Sequence, residues 1–309
     1  MPDELVSVEN SKLRKGIILA GGKGTRLFPV TGYINKHLLP VYDKPLIYYP
    51  LTTLMLAGMR DILVISDSNG LPSLKQALGD GSQWGVHLTY GEQDTPAGIA
   101  QGLLIAEDFV AGEPFSLVLG DNIFYGRGFA TLLSDAGTAA THSKAVVFTQ
   151  WVSNPEDYGV LTTDREGTPL LLVEKPRDPR SHEAVTGLYF YDHRAIELVK
   201  TLVPSERGEL EITDLNRLYM EKGDLVPVHL GRGFVWFDAG TTHNLLLASQ
   251  LVEVMQMRQR TGIAFPEEVA YRVGLIDLDA FCGLVASMPV SAYRHYLDTL
   301  VEEFQESDG

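Results

Sequence analysis

The feature that most constrains the fold is a glycine-rich loop directly after a short apolar run. Gly16–Leu19 has the character of a buried strand, and Ala-Gly-Gly-Lys-Gly-Thr-Arg-Leu27 follows it. Glycines place no side chain in the way of an anion, so the backbone N–H groups of such a loop can point at it. Lys23 and Arg26 add positive charge, and an arginine can hold phosphate oxygens at two points. The loop therefore predicts a phosphate site at the end of the first strand.

Two common phosphate-binding patterns do not fit this loop. A Walker A sequence needs Gly-Lys-Ser/Thr, which is missing. The dinucleotide spacing G-x-G-x-x-G fails because Leu27 stands where the third glycine belongs. The remaining alternative is an ordinary glycine-rich turn, and the two basic residues argue against it.

The charge distribution favours a small anionic ligand over a polyanion such as nucleic acid. The net charge is −15, which argues against nucleic acid and anionic membranes as partners. Residues 11–45 nevertheless contain seven basic residues and one acidic residue. A basic patch on an acidic protein suits a small phosphorylated molecule, although a chance fluctuation on a solvated surface is the alternative.

The length is compatible with one large α/β domain or two smaller ones, and the composition favours a cytoplasmic protein. The chain has 309 residues, 45% of them hydrophobic, and no apolar run approaches the ~18 residues of a membrane span. Cys282 is the sole cysteine, which excludes an internal disulfide. The first ten residues are acidic, without the basic start and apolar middle of a signal peptide. We therefore expect a cytoplasmic location.

Short apolar runs alternate with segments of helical spacing, which predicts a mainly parallel central sheet covered by helices. The predicted strands are 17–19, 62–66, 87–90, 115–119, 145–150, 159–162, 170–174, 187–191 and 225–230. The predicted helices are 47–57, 99–109, 209–221, 243–260 and 292–304. We expect an N-terminal extension over 1–14, a core over 15–242 with halves of about 15–122 and 123–242, and a helical C-terminal region over 243–309.

Two aspartates follow apolar runs and are candidate metal ligands. Asp121 ends Leu117-Val-Leu-Gly, and Asp238 ends Val235-Trp-Phe. In open α/β sheets, ligands bind at the carboxyl ends of the strands. Mg²⁺ takes few protein carboxylates when phosphates supply its other ligands. A capping role for Asp121 and a turn role for Asp238 stay open at this point.

A third candidate is the strand segment Leu172-Val-Glu-Lys-Pro176. Neighbouring strand residues point to opposite faces, so Glu174 and Lys175 can play separate parts. Lys175 could bind a phosphate, and Glu174 could accept hydrogen bonds from hydroxyl groups. A surface ion pair before a proline turn is the alternative.

Longer motifs carry a family resemblance. Leu19–Leu27, Lys36–Pro50, Leu119–Ile123, Val185–Tyr191 and Arg207–Thr213 together resemble the sugar-1-phosphate nucleotidyltransferases and, among them, the glucose-1-phosphate thymidylyltransferase family. The resemblance runs from about Lys15 to Tyr296. It implies an α/β fold with a Rossmann-like nucleotidyltransferase core and a helical C-terminal region. It also implies Mg²⁺ dependence, a homotetramer and a first step in dTDP-rhamnose and dTDP-deoxysugar synthesis.

The resemblance further implies roles for individual residues. The catalytic set is Arg26, Lys36, Asp121 and Lys175. The nucleotide-binding set is Leu19, Ala20, Gly21, Gly22, Gly24, Thr25, Arg26, Lys36, Gln93, Gly98 and Asp121, in which Gln93 and Gly98 read the base. The sugar-phosphate set is Tyr158, Gly159, Glu174, Lys175, Val185, Tyr189 and Arg207. Asp121 and Asp238 hold the metal. A possible regulatory set is Tyr125, Gly126 and Arg232.

The implied reaction joins dTTP and glucose 1-phosphate and releases pyrophosphate. A phosphate monoester has a second pKa of about 6, so this nucleophile needs no general base. His37 replaces the glutamine usual in the family, and Asp94 and Ala97 alter the base-side segment. The alternatives are therefore UTP or another nucleoside triphosphate, another hexose 1-phosphate, or a non-catalytic nucleotide-sugar sensor.

Overall fold

A computed structural model describes residues 13–22, 24–95 and 97–307. Its strands are β1 (Lys15–Leu19), β2 (Pro40–Val41), β3 (Lys44–Pro45), β4 (Asp61–Ser66), β5 (His87–Glu92), β6 (Phe115–Leu119), β7 (Asn122–Tyr125), β8 (Ala145–Trp151), β9 (Gly159–Thr163), β10 (Pro169–Glu174), β11 (Glu183–Tyr191), β12 (Leu225–His229) and β13 (Val235–Asp238). The N-terminal extension predicted over 1–14 lies almost wholly outside the described residues.

The helices cover both faces of the sheet and form the C-terminal part of the chain. They are α1 (Tyr48–Leu56), α2 (Leu71–Leu78), α3 (Ile99–Ile105), α4 (Glu107–Val110), α5 (Phe129–Thr141), α6 (Ala195–Val199), α7 (Ile212–Glu221), α8 (Thr242–Gln259), α9 (Pro266–Arg272), α10 (Leu278–Ser287) and α11 (Ala292–Ser307). Within the described ranges, none of these helices has the length and apolar character needed to cross a membrane.

The main sheet has nine strands, and its path runs β10-β9-β11-β6-β1-β4-β5. Strands β6, β1, β4 and β5 are parallel, so their carboxyl ends meet at one edge. Strand β11 runs antiparallel to β6 and also pairs with β8 and β9. The mainly parallel α/β sheet and the helical C-terminal region are confirmed.

The central strands are apolar on both faces because helices cover both sides of the sheet. Ile18 packs into a cluster with α1 and α5. Ile17 and Leu117 point the other way, into a cluster with α3 and α7. Such continuous apolar runs are typical of strands buried on both faces, which explains why the sequence revealed them.

Several observed elements differ in their bounds from the expected ones. The predicted helix 99–109 is two helices that meet at Ala106, and the predicted helix 209–221 begins at Ile212. Strand β11 begins at Glu183 and carries an irregularity against β8 between Val185 and Tyr189. Its last four residues pair with β6, and its first residues extend past the carboxyl end of β6. This extension brings β11 to the edge where the parallel strands end.

The C-terminal helices attach to the rest of the protein through buried polar contacts. Glu267 of α9 is 3% exposed and accepts hydrogen bonds from Trp84 Nε1 at 3.1 Å and Tyr293 Oη at 2.6 Å. Lys44 of β3 is equally buried and lies 4.2 Å from the ring centre of Phe265. These contacts join the β2–β3 hairpin, α9 and α11 into one packed unit.

Candidate active site

The glycine-rich loop lies between β4 and β6 at the carboxyl edge of the sheet. The N–H of Ala20 donates to the carbonyl of Ile65 at 2.7 Å. Gly22 and Gly24 have φ angles of 97° and 58°, a region that non-glycine residues seldom adopt. A Cβ on residue 24 would also lie 2.9 Å from the Thr31 side chain. The glycines here are therefore required by the backbone, and Lys23 lies outside the described residues.

An ion pair lies at the centre of this edge. Lys36 stands on a short 3₁₀ turn (Lys36–Leu38), and its Nζ lies 2.5 Å from Asp121 Oδ2. Both side chains are nearly buried, at 11% and 14% exposure. Burial raises the pKa of Asp121, but the Lys36 ammonium outweighs it and holds that pKa well below its usual range. Asp121 is therefore charged at neutral pH.

The pairing of β13 with β7 brings the second aspartate to the first. Asp238 stands opposite Asn122, the neighbour of Asp121, and the N–H of Ala239 donates to the carbonyl of Asp121 at 2.9 Å. Burial and the negative charge of Asp121 raise the pKa of Asp238 to about 6. Arg26 offsets this only weakly, because its Nη2 lies 3.9 Å from Asp238 Oδ2.

These two carboxylates fit a magnesium ion. Asp121 and Asp238 are partly buried and lie close together, and the negative charge of Asp121 contributes to the raised pKa of Asp238, an effect that a bound divalent cation would relieve. Among the described residues, no group of three or more His, Cys, Asp or Glu side chains could hold a metal. Mg²⁺ commonly binds one or two carboxylates together with substrate phosphates and water. The donor set therefore suits a metal that arrives with a nucleotide.

Asn122 fixes the orientation of Asp121. Its Nδ2 donates to Asp121 Oδ1 at 3.0 Å. Its Oδ1 accepts from the N–H of Gly187 at 3.0 Å and from Trp236 Nε1 at 2.6 Å. These two N–H groups can only donate, so the Asn122 side-chain amide cannot rotate by 180° and exchange its oxygen and nitrogen. Asp121 is thus held by Lys36 on one oxygen and by Asn122 on the other.

A first cavity of about 360 Å³ lies beside the glycine-rich loop. Its wall includes Gly22, Lys36 and Gln93 from the predicted nucleotide set, together with Asp94. Two other members of the predicted nucleotide set, Arg26 and Asp121, line a different cavity. Within the described part of the chain, the remaining members belong to the loop or the base segment without forming this wall. They are Leu19, Ala20, Gly21, Gly24, Thr25 and Gly98.

A second cavity of about 230 Å³ opens on the same ion pair. It contains most of the predicted sugar-phosphate set, together with Arg26 and both aspartates. Its predicted residues are Arg26, Asp121, Tyr158, Gly159, Glu174, Lys175, Val185, Tyr189 and Asp238. The structure therefore brings the predicted catalytic, metal and sugar-phosphate residues to one place, with Lys36 reaching it through Asp121.

The wall of the second cavity is held rigidly. Thr213 Oγ1 donates to Glu174 Oε2 at 2.5 Å. Lys175 has a φ of 44°, and its N–H donates to the carbonyl of Tyr158 at 2.9 Å. Non-glycine residues in this left-handed region are uncommon and cluster at functional sites. The strained backbone at Lys175 sets where its ammonium can reach.

Arg207 lies at the rim, and not in the wall that the described residues form. Its guanidinium is held by Glu211, with Nη2 at 2.8 Å from both carboxylate oxygens. The contact with Glu174 is longer, at 3.5 Å. Arg207 therefore orders the loop before α7, and its predicted contact with the sugar phosphate stays a prediction.

Tyr125 and Gly126 line a third cavity of about 250 Å³ between α1, α5 and α9. Arg232 is exposed in the loop before β13 and is absent from the described wall of this cavity. A single chain thus brings together two of the three residues that the resemblance implied for regulation.

His37 does not line the nucleotide cavity among the described residues; it lies beneath it. It is 1% exposed, and its ring fills the space beside Gly120, where a Cβ would lie 2.7 Å from its Cδ2. Burial and the neighbouring Lys36 lower the pKa of His37 to about 3. Its Nδ1 lies 3.1 Å from Asn35 Oδ1, and Asn35 lines the cavity. His37 therefore acts on a nucleotide indirectly, and Asn35 is one residue that links its ring to the cavity.

Sequence reasoning missed several residues that organise the site: Asn35, Gln101, Asn122, Thr213 and Trp236. Asn122 carried the clearest signal, since it follows Asp121 directly in Leu119-Gly-Asp-Asn. Thr213 and Trp236 act through contacts with residues distant in the chain, which a local pattern cannot reveal. Asn35 and Gln101 contact residues nearby in the chain, but nothing in their spacing marks these contacts.

Comparison with known proteins defines the class of the chain. The family model described as "Nucleotidyl transferase" matches residues 15–254. A glucose-1-phosphate thymidylyltransferase from Xanthomonas campestris pv. campestris (strain B100) is 51% identical over 289 residues, covering 94% of this chain and 97% of the relative. One from Mycolicibacterium smegmatis is 47% identical over 288 residues, covering 93% and 99%. The chain belongs to the nucleotidyl transferase family and, within it, to the glucose-1-phosphate thymidylyltransferases.

A solved structure agrees with this assignment. A Bacillus anthracis crystal structure described as a glucose-1-phosphate thymidylyltransferase in complex with a sucrose matches with a TM-score of 0.71 and 40% identity. The match covers 77% of this chain and 94% of the other. The protein is therefore an enzyme of the nucleotidyltransferase class, and the alternative of a non-catalytic sensor is not retained.

The Asn122 contacts generate a test by substitution. A Cβ on residue 187 would lie 2.6 Å from Asn122 Oδ1, so Gly187→Ala must displace the amide that orients Asp121. We expect a loss of about 1–3 kcal/mol in the free energy of unfolding, measured by denaturant titration. The indole N–H resonance of Trp236 should also shift. Gly231→Ala is the control, because nothing lies within 4 Å of a Cβ there. An unchanged indole resonance in Gly187→Ala would contradict this account of Asn122.

Proposed function

We propose that the protein transfers the thymidylyl group of dTTP to the phosphate of α-D-glucose 1-phosphate, releases pyrophosphate and depends on Mg²⁺. The observation that carries the proposal is a pair of cavities linked by one ion pair: Lys36 lines the first cavity, and its partner Asp121 lines the second. One lies beside the glycine-rich loop, and the other holds Glu174 and Lys175. The names of the relatives support the substrates.

The first problem of this reaction is the repulsion between two polyanions. Lys36 lines the first cavity, Arg26 and Lys175 line the second, and their positive charges can offset this repulsion. The nucleophile is a phosphate oxygen, which is ionised near neutral pH without help from a base. The protein's task is then to hold that oxygen in line with the α-phosphorus and the departing pyrophosphate. Preorganised positive charge stabilises the additional charge at phosphorus in the transition state.

Asp121 and Asp238 would hold the magnesium ion. When bound, Mg²⁺ supplies Lewis-acid polarisation of the phosphoryl oxygens and a template for the triphosphate. The residues of this chain prepare the site. Asn122 orients one oxygen of Asp121, and Lys36 neutralises part of the charge of Asp121. Arg26 approaches Asp238 beside Gly240. A side chain at residue 240 would collide with the Arg26 guanidinium.

Glu174 would bind the sugar hydroxyl groups and Lys175 the sugar phosphate. Thr213 donates to Oε2 of Glu174, and Oε1 has the long 3.5 Å contact with Arg207. A carboxylate oxygen can accept more than one hydrogen bond, so Oε1 can also accept from a sugar hydroxyl in the cavity. Tyr158 packs at 5.1 Å from the ring of Trp236, an arrangement that offers the sugar an apolar surface.

UTP, another nucleoside triphosphate or another hexose 1-phosphate is the alternative substrate within the same reaction. We also propose a cytoplasmic location and a role in dTDP-deoxysugar synthesis, including dTDP-rhamnose.

Incubation with dTTP, glucose 1-phosphate and Mg²⁺ should release pyrophosphate and form dTDP-glucose. Asp121→Asn should lower kcat by about 10²–10³, since it removes a charge that acts mainly in the transition state. Binding of glucose 1-phosphate, measured by calorimetry, should change little. Glu302→Gln, an exposed change of the same kind on α11, is the control.

Two results would contradict this proposal. No pyrophosphate release with any of the five common nucleoside triphosphates would rule out the reaction. Turnover of Asp121→Asn within tenfold of the control would rule out the metal role of Asp121.

We further propose that the cavity lined by Tyr125 and Gly126 binds the nucleotide-sugar product and lowers activity. Its support is the resemblance together with a 250 Å³ cavity that shares no lining residue with the first two. Ala130→Phe should fill the cavity from α5, abolish inhibition by added dTDP-glucose that is not competitive with dTTP, and keep the uninhibited rate. Inhibition of equal strength in this variant would exclude the cavity.

A homotetramer is the final part of the proposal. Apolar side chains stand exposed on α8, and contact between subunits would cover such a surface. They are Leu246, Leu247, Val254 and Met257. Light scattering of the full chain should give about four times the 34.0 kDa of one chain; a monomeric mass at micromolar concentration would contradict it.

A further inference from the structure

The side-chain amide of Gln93 has a fixed direction. Gln93 is 5% exposed and lies between the glycine-rich loop and α3. Its Nε2 donates to Gln101 Oε1 at 2.8 Å. Its carbonyl oxygen faces Gly21, at 3.1 Å from where a Cβ of that residue would stand. An amide can usually turn over and exchange these two atoms, so the direction needs a cause.

The cause is a backbone group that can only donate. The N–H of Ala97 donates to the same Gln101 Oε1 at 2.9 Å, which identifies that atom as the oxygen. Gln93 must therefore turn its NH₂ toward Gln101 and its carbonyl away from it. A reversed Gln93 would place two oxygens in contact, a repulsive arrangement with an unsatisfied polar group.

Ala97 is itself held in place by the segment before α7. Its carbonyl accepts from the N–H of Leu210 at 2.8 Å. The next residue, Gly98, has a φ of 103°, and a Cβ there would lie 2.3 Å from the Leu210 carbonyl. These contacts hold the backbone at Ala97 close to Leu210, and the direction of both glutamine amides follows from the Ala97 N–H.

We infer that Gln101 is a positioning residue that sets the base preference of the enzyme by presenting Gln93 as a hydrogen-bond acceptor. The inference rests on the proposed function, in which Gln93 contacts the base. An acceptor at this point suits a base that carries N–H at ring position 3, as thymine and uracil do. Cytosine has a lone pair at that position, so its nitrogen would face the Gln93 oxygen.

A carbonyl oxygen on Gln93 distinguishes thymine and uracil from cytosine. Thymine and uracil are equivalent at this contact. A site built to hydrogen-bond a ligand group discriminates strongly against a ligand that lacks it, because buried polar groups are then left unpaired. Discrimination against cytosine should weaken when the Gln93 side-chain amide is free to rotate by 180°.

Two substitutions of Gln101 test this. Gln101→Met keeps the length of the side chain and removes the acceptor, so Gln93 can turn over. The ratio of kcat/KM for dTTP to that for dCTP should fall about tenfold or more. Gln101→Glu retains an acceptor for both Gln93 Nε2 and the N–H of Ala97, and its ratio should stay close to that of the unsubstituted enzyme. Thermal unfolding of each variant checks that the fold persists.

The outcomes separate this inference from the proposed function. An equal fall in both variants, or no fall in Gln101→Met, would overturn the role of Gln101 while dTTP turnover stood. An unsubstituted enzyme that uses dTTP and dCTP equally well would also overturn it. Absence of turnover with every nucleoside triphosphate would instead remove the proposed function on which it rests.

Discussion

The ion pair of Lys36 and Asp121 is the interaction on which the arrangement of the site depends. A carboxylate as buried as Asp121 would take up a proton without a nearby positive charge. Lys36 supplies that charge, and it can do so only because the turn of Lys36–Leu38 lies against the end of β6. The His37 ring packs against Gly120 and thereby holds that turn at a fixed distance from the end of β6. The pair thus couples the glycine-rich side of the molecule to the strand that ends in Asp121.

The central sheet was the part of the fold most accessible to sequence reasoning. Strands β1, β4 and β6 are covered by helices on both faces, so they appear as uninterrupted apolar runs between turns. The irregular stretch of β11 after Val185 was not predicted, because it follows from a mismatch with β8 and not from its own residues. The break between α3 and α4 at Ala106 was missed for a similar reason, since apolar spacing continues across it.

The site shows the same division between local and distant information. Asp121 and Asp238 each stood out at the end of an apolar run, yet only the pairing of β7 with β13 brings them together. His37 was linked to the choice of nucleotide because it departs from the family pattern, and its ring is buried under the cavity. A sequence motif does not reveal how deeply one of its side chains is buried. Gln101 had no signal at all, since its effect depends on a contact across the base segment with Gln93.

The buried ammonium of Lys44 has a consequence for how the chain loses its structure. It lies against the ring of Phe265, pairs with Asp43 and donates to Gln256 of α8 at 3.2 Å. Detachment of the C-terminal helices would strip away the ring and the amide, and the Trp84 N–H would lose its acceptor on Glu267. Partial opening at this junction is therefore costly. The C-terminal helices and the main sheet therefore form one cooperative unit, and heat or denaturant should unfold both in a single transition.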